Sequence, residues 1–261
     1  MGALGSLVQK ATSWERVGRP LIIAHRGASA RELENTVPAF ARAREEGADG
    51  VELDVLLCKT GEVVVFHDDD LKRLAGRPEN VEDVPWSELR QVPLVLGERR
   101  GCIPLLSSVL EELGPGMLVN IELKAPRARP YERLAWAVAD LLRRHGVGVR
   151  FLVSSFNPLA LLALRTFSPS TPLALLMAKD QSLPLRAAWA RGFIRPVALH
   201  PEHALVHGSS REKWRREGYA VNAWTVDDPR EIARLCSLDI DGLITNRPAE
   251  TREVVEGLRA R

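Results

Sequence analysis

Eight short runs of apolar and β-branched residues, each followed by a longer stretch with helical periodicity, constrain this chain more than any other feature of its sequence. The runs are 21–25 (LIIAH), 50–56 (GVELDVL), 117–123 (MLVNIEL), 150–154 (RFLVS), 172–176 (PLALL), 196–200 (PVALH), 219–225 (YAVNAWT) and 240–244 (IDGLI). The pattern predicts helices over 36–47, 104–113, 131–145, 157–167, 183–191, 202–217, 228–236 and 248–259. Parallel strands cannot be joined by tight turns, so strand and helix must alternate as repeated βα units. Eight such units in 261 residues favour one closed TIM-type (β/α)₈ barrel of the α/β class, filling the whole chain 1–261, over an open doubly wound sheet. No GxGxxG or GxxxxGK[ST] pattern follows the first strand, which removes the signature of the dinucleotide and P-loop folds.

One connection breaks the rhythm. Between the second strand and second helix lies an insertion at about 58–103, far longer than an ordinary βα loop, and such excursions are usually functional or form a small subdomain. Within it, GEVVVFHDDDL reads as an extra strand or hairpin arm ending at His67. The segment Arg77–Arg100, with prolines and mixed charge, reads as its exposed part.

Reactive groups of a parallel barrel sit at the C-terminal ends of the strands. The first strand here ends in His25, Arg26 and Gly27. The second carries Glu52 and Asp54, whose i, i+2 spacing turns both carboxylates to one side. Asn120, Glu122 and Lys124 share one parity on the third, and Asn222 and Trp224 on the seventh. Carboxylates crowded into one barrel mouth repel each other and resist desolvation unless a cation or proton compensates. Oxygen ligands without thiols or a histidine cluster select Mg²⁺ or Ca²⁺. From spacing alone, structural ion pairs of Glu52 and Asp54 with Arg26 or Lys124 stand beside that reading. His25 and His67 each neighbour charge. Singly, each reads as a hydrogen-bonded structural residue; together with the carboxylates and an arginine suited to a phosphate, they describe metal-assisted phosphoryl chemistry with a general base and a general acid.

Charge excludes one class of partner: 36 Lys and Arg against 34 Asp and Glu leave a net charge of +2, too little one-signed field to hold a nucleic acid. Basic runs such as Arg211–Arg216 read as a solvated helix face. Cys58, Cys102 and Cys236 fit neither a disulfide framework nor a CxxC metal site, which points to a reducing compartment. The N-terminal residues lack the apolar core of a secretion signal, and no run of about 18 apolar residues occurs, so no stable membrane insertion is expected and a cytoplasmic location follows. A formal myristoylation match at Gly2 and Ser6 is short enough to arise by chance. The sequence sets no oligomeric state.

The stretch 24–73, with HRG, ENT, the E-x-D pair and a downstream HD in that order, resembles the hallmark of the glycerophosphodiester phosphodiesterases. The similarity continues through IELK (121–124), SSFNP (154–158), ALHP (198–201), AWTVDD (223–228) and DGLITNRP (241–248), and so spans nearly the whole chain. The resemblance implies a TIM barrel that hydrolyses a small-molecule phosphodiester to glycerol 3-phosphate and an alcohol. It implies His25 and His67 as the acid/base pair, Glu52, Asp54 and Glu122 as ligands of a divalent cation, Mg²⁺ or Ca²⁺, and Arg26 as the phosphate-binding arginine. Glu34 and Asn35 match the ENT motif, and Lys124 and Trp224 match residues lining the pocket; core packing is the plain alternative for Trp224. His200 matches a family position where a structural role is equally available. His145, His203 and His207 are expected to face solvent.

Two departures bear on substrate preference. Pro104-Leu105-Leu106-Ser107-Ser108 stands where the family usually shows a PTL-x-E-type sequence, and DDDLKRLAG follows the second histidine where a Thr-rich turn is common. The same machinery serves a lysophospholipase D or phospholipase C-like enzyme acting on acylated substrates, which would need an apolar groove. A non-catalytic barrel would have lost a histidine or carboxylate, and an aldol-type enzyme would need a Schiff-base lysine, for which Lys124 is the only candidate.

Overall fold

The computed structural model of the chain describes residues 14, 18–124, 131–146, 150–181 and 190–260. In chain order the strands are β1 (Leu21–His25), β2 (Gly50–Leu57), β3 (Val63–Val65), β4 (Pro93–Leu96), β5 (Arg99–Cys102), β6 (Leu118–Leu123), β7 (Phe151–Ser155), β8 (Leu173–Met177), β9 (Ala198–Pro201), β10 (Ala220–Ala223) and β11 (Gly242–Thr245). Eight of them run parallel in the order β1-β11-β10-β9-β8-β7-β6-β2, and pairing of β1 with β2 closes the ring into a TIM barrel. Strand parity sorts the side chains. On β2, Val51, Leu53 and Val55 face outward into the large apolar layer shared with helix residues such as Phe40, Val109 and Leu134. Inside the barrel, Leu21, Ile23, Leu118 and Ile244 pack together, and Leu152 meets the small Ala174 and Ala198. Trp14 packs against both inner groups. Because both faces are covered, the strands read as near-continuous apolar runs, which is why they were visible in the sequence.

The helices follow with small adjustments. The first, Val37–Glu45, starts where the Thr36 hydroxyl accepts from the Ala39 N–H and Pro38 occupies the first turn. The helix Leu106–Leu113 has Leu105 at its N-cap and no capping side chain. Leu105 instead packs against the apolar cluster of the insertion. The stretch expected as one helix over 202–217 is split into a 3₁₀ turn, His203–Leu205, and a helix, Gly208–Arg216. Of the helix expected at 183–191, residues 183–189 lie outside the described residues, and a single helical turn spans Arg191–Ile194. No helix among the described residues is long and apolar enough to cross a membrane.

The insertion has an apolar centre of its own. β3 pairs antiparallel with the end of β2 and leads directly to His67, and β4 and β5 form a separate hairpin. The expectation that 77–100 is simply exposed is corrected: Val81, Val84, Leu89, Val92 and Leu94 are buried against Phe66, Leu71, Leu74 and Ile103. The hairpin is anchored on the loop after β1, where Arg99 Nη1 donates to the carbonyls of Ser29 (2.6 Å) and Glu32 (3.1 Å).

That loop is tightly specified. Arg26 and Asn35 both adopt left-handed backbone conformations (φ 57° and 58°), which non-glycine residues accept only where their surroundings enforce it. Gly27, at φ +84°, lies so close to the first helix that a Cβ would stand 2.6 Å from the Ala39 carbonyl carbon. Gly27→Ala therefore meets both a disfavoured φ and a backbone clash, and is expected to lower stability by roughly 2–5 kcal/mol, read as a fall in urea midpoint at unchanged slope.

Candidate active site

β1, β2, β6 and the insertion deliver charged groups to one mouth of the barrel, at the C-terminal ends of the strands. In the β2/β6 register Glu52 lies beside Asn120, and Asp54 beside Glu122. The inward parity expected from the spacing thus brings three carboxylates from two strands together, with one oxygen from each of Glu52, Asp54 and Glu122 within 4.8 Å of the others. All three are buried.

Their environments differ. Burial, Asp54 and Glu122 hold the Glu52 carboxyl well above its ordinary range. Glu122 is raised too, first by burial and then by Asp54, against the pull of Lys124. Asp54, although buried, is held down at about 2 by Arg26, Lys124, His67 and the Asn35 amide. The ion pairs that the sequence left open are present: Arg26 Nε lies 3.1 Å from Asp54 Oδ2, and Lys124 Nζ lies 3.6 Å from Asp54 Oδ1 and 3.0 Å from Glu122 Oε1. They do not complete the cluster, because the buried Glu52 Oε1 has no hydrogen-bond partner. An orphaned carboxylate oxygen facing two other carboxylates, all oxygen donors, fits a hard divalent cation.

The two histidines reach the same cavity with different outer partners. Asn246 Nδ2 donates to Asp227 Oδ2 (2.6 Å), which turns its carbonyl oxygen toward His25 Nδ1 at 2.8 Å. His25 therefore carries its proton on Nδ1 and leaves Nε2 as a lone pair, 4.0 Å from Glu52 Oε2. Burial and the Arg26 charge push its pKa down to about 4, so the ring is neutral near pH 7. His67 Nδ1 faces the Asp68 carboxylate at 2.6 Å. Its pKa is lowered as well, by burial with Lys124 and Arg26 adding to the shift and Asp54 and Asp68 opposing it; unlike His25, it has a carboxylate on its outer nitrogen to stabilise a proton gained on the ring.

The cavity is lined by His25, Arg26, Glu52, His67, Asn120, Glu122 and Lys124 on its charged side, and by Phe156, Leu176, Trp224 and Ile244 on the other. Trp224 joins core and site: it packs on the inner apolar cluster, its Nε1 donates to the His200 carbonyl (2.7 Å), and its ring meets Phe156 edge-on at 5.5 Å. Glu34 and Asn35 stand behind the residues that line the cavity. Glu34 Oε1 accepts from Arg26 Nη1 (2.8 Å), and the Asn35 side chain grips Asp54 twice, Nδ2 donating to Asp54 Oδ2 (2.8 Å) and Oδ1 accepting from the Asp54 backbone N–H (3.2 Å). His200 is fully buried and holds Asn222 at 3.0 Å outside the cavity lining. Asn246, Asp227, Phe156, Leu176 and Ile244 belong to the site or its support without having been marked by the sequence pattern. Asn246 follows the last barrel strand, so the same search for polar groups at strand ends would have found it. A larger hollow of about 620 Å³ precedes β8 and β9 at the opposite end of the barrel; it is lined by residues such as Thr171, Phe193 and Val197 and holds no histidine or carboxylate.

The model of the glycerophosphoryl diester phosphodiesterase family matches residues 25–250. A glycerophosphodiester phosphodiesterase of Caldanaerobacter subterraneus subsp. tengcongensis is 32% identical over 238 residues, covering 88% of this chain and 95% of that one. One from Bacillus altitudinis is 30% identical over 252 residues, covering 91% and 99%. Among solved structures, an Oleispira antarctica phosphodiesterase in complex with the product sn-glycerol-3-phosphate superposes with a TM-score of 0.83 at 26% identity, covering 92% of this chain and 98% of that one. The Thermotoga maritima glycerophosphodiester phosphodiesterase is 31% identical with a TM-score of 0.72, covering 93% and 99%.

Proposed function

Because the chain belongs to the glycerophosphoryl diester phosphodiesterase family, we propose that it hydrolyses glycerophosphodiesters to glycerol 3-phosphate and an alcohol, with residues 1–261 acting as one catalytic unit. The observation that carries this reading is the meeting, in one cavity, of two differently supported histidines, a phosphate-suited arginine and a three-carboxylate cluster. Glu52, Asp54 and Glu122 would hold Mg²⁺ or Ca²⁺, which when bound lets all three ionise and polarises a nonbridging phosphoryl oxygen. Arg26 and Lys124 neutralise the anionic diester and orient it. His25 Nε2 takes the proton from the attacking oxygen. The bond from phosphorus to the alcohol oxygen breaks, and His67 Nε2 gives that oxygen a proton. Trp224 and Phe156 offer an apolar wall to the carbon skeleton of the substrate. Phe156, Leu176, Trp224 and Ile244 are the apolar side of the lining, a short wall that suits the carbon skeleton of a glycerophosphodiester.

Product analysis tests the reading. Glycerophosphocholine is expected to give glycerol 3-phosphate and free choline, resolved by mass spectrometry. Phosphocholine and glycerol as products would place the leaving group on the other side of phosphorus and overturn it.

A further inference from the structure

His67 is carried by the insertion and Arg26 by the loop after β1, yet the reaction proposed above needs them in fixed register. One residue spans the gap. Arg73, in the helical turn Lys72–Ala75, donates from Nε to Asp68 Oδ2 at 2.6 Å. Its two terminal nitrogens take Glu34 as a fork, Nη1 to Oε2 at 2.9 Å and Nη2 to Oε1 at 2.7 Å. Asp68 in turn holds His67 Nδ1 with its other oxygen, and Glu34 Oε1 also accepts from Arg26. The result is an unbroken chain, His67–Asp68–Arg73–Glu34–Arg26, whose middle member is neither a lining residue of the cavity nor one of the three clustered carboxylates.

An isolated surface ion pair contributes little, because side-chain entropy and solvent offset its attraction. This one differs in kind. The guanidinium is fixed on three sides by two carboxylates, a geometry that a planar five-donor fork can satisfy and an ammonium cannot. Without it, Asp68 is free to rotate about its bond to His67, whereas Glu34 keeps its own bond to Arg26. The geometry points to Arg73 as a positioning residue that aims His67 at the leaving-group oxygen. This inference rests on the assignment of His67 as the acid.

The test compares two leaving groups on the same enzyme preparations. Glycerophosphocholine releases an alkoxide that needs a proton, while the p-nitrophenyl ester of glycerol phosphate releases a phenolate that does not. Arg73→Gln is expected to lower kcat on glycerophosphocholine by roughly 10–100-fold and to leave the nitrophenyl ester within about threefold of wild type. Arg73→Lys is expected to fall between, since it restores charge without the fork, and it serves as the test should the glutamine variant not fold. Partial unfolding would depress both substrates equally, so selective loss on glycerophosphocholine is the signature of positioning. Equal loss on both, or wild-type rates on both, overturns the inference. His67→Ala measured alongside separates the two levels: if it too lacks leaving-group dependence, the acid assignment itself falls, and if it shows the dependence while Arg73→Gln does not, only the role of Arg73 falls.

Discussion

His25→Ala and His67→Ala are each expected to lower kcat by roughly 10²–10⁴-fold with the fold retained, which is the usual contribution of one positioned acid or base. Neither ring is a keystone of packing. His25 ends a strand already paired on both sides, and His67 is partly exposed on the insertion, so thermal midpoints should shift far less than turnover. The pH profile separates the two variants. His25 acts as a base only while Nε2 is unprotonated, and its pKa is pushed down to about 4 by burial and Arg26. Since that value lies below the ordinary 6.5, the base stays competent through neutral pH, and the acid limb attributable to it falls well below pH 6.5 as the pH is lowered. His25→Ala should remove the dependence on this group; full activity in either folded variant sinks the acid/base pair.

What could be read from the sequence followed from how strongly each residue's surroundings constrain it. All eight barrel strands stand within two residues of the expected runs, because burial on both faces leaves an apolar stretch that no helix or loop here imitates. Glu52, Asp54 and Glu122 were legible for the opposite reason: acidic residues in otherwise apolar strands demand compensation, and parity alone fixes their direction. Beyond its first strand, which leads to His67, the insertion was opaque. Its elements are three or four residues long, its buried Val81, Val84 and Leu89 are separated by charged neighbours, and no period can emerge from so short a run. Glu34 and Asn35 expose another limit. A motif marks them as part of the site, but whether a side chain points at substrate or at Arg26 and Asp54 depends on the left-handed turn of the loop, which composition does not record. Asp68 and Arg73 stand in the DDDLKRLAG run after His67, and only the fold makes them a chain.

Exhaustive chelation is expected to abolish turnover, and Mg²⁺ or Ca²⁺ to restore it, because the three carboxylates cannot all ionise in a buried mouth that must also admit an anionic diester. Glu52 shows the conflict most sharply: burial and its two acidic neighbours raise its pKa well above the ordinary range, so in the absence of a cation the proton is its compensation. Cation and proton therefore compete for the same oxygen. Affinity for the metal should fall as pH is lowered, and binding near neutrality should release protons, seen calorimetrically as an observed enthalpy that varies with the ionisation enthalpy of the buffer. Glu52→Gln removes the titrating group while keeping its shape. It should weaken metal binding by at least roughly 10–100-fold, the loss typical of even outer-shell partners, and reduce the buffer dependence. Asp54, already held at about 2 by cationic neighbours despite its burial, should contribute little to proton release. Turnover that survives chelation, in protein shown by elemental analysis to carry no metal, would leave Glu52, Asp54 and Glu122 as a structural cluster and remove the cation from the reaction.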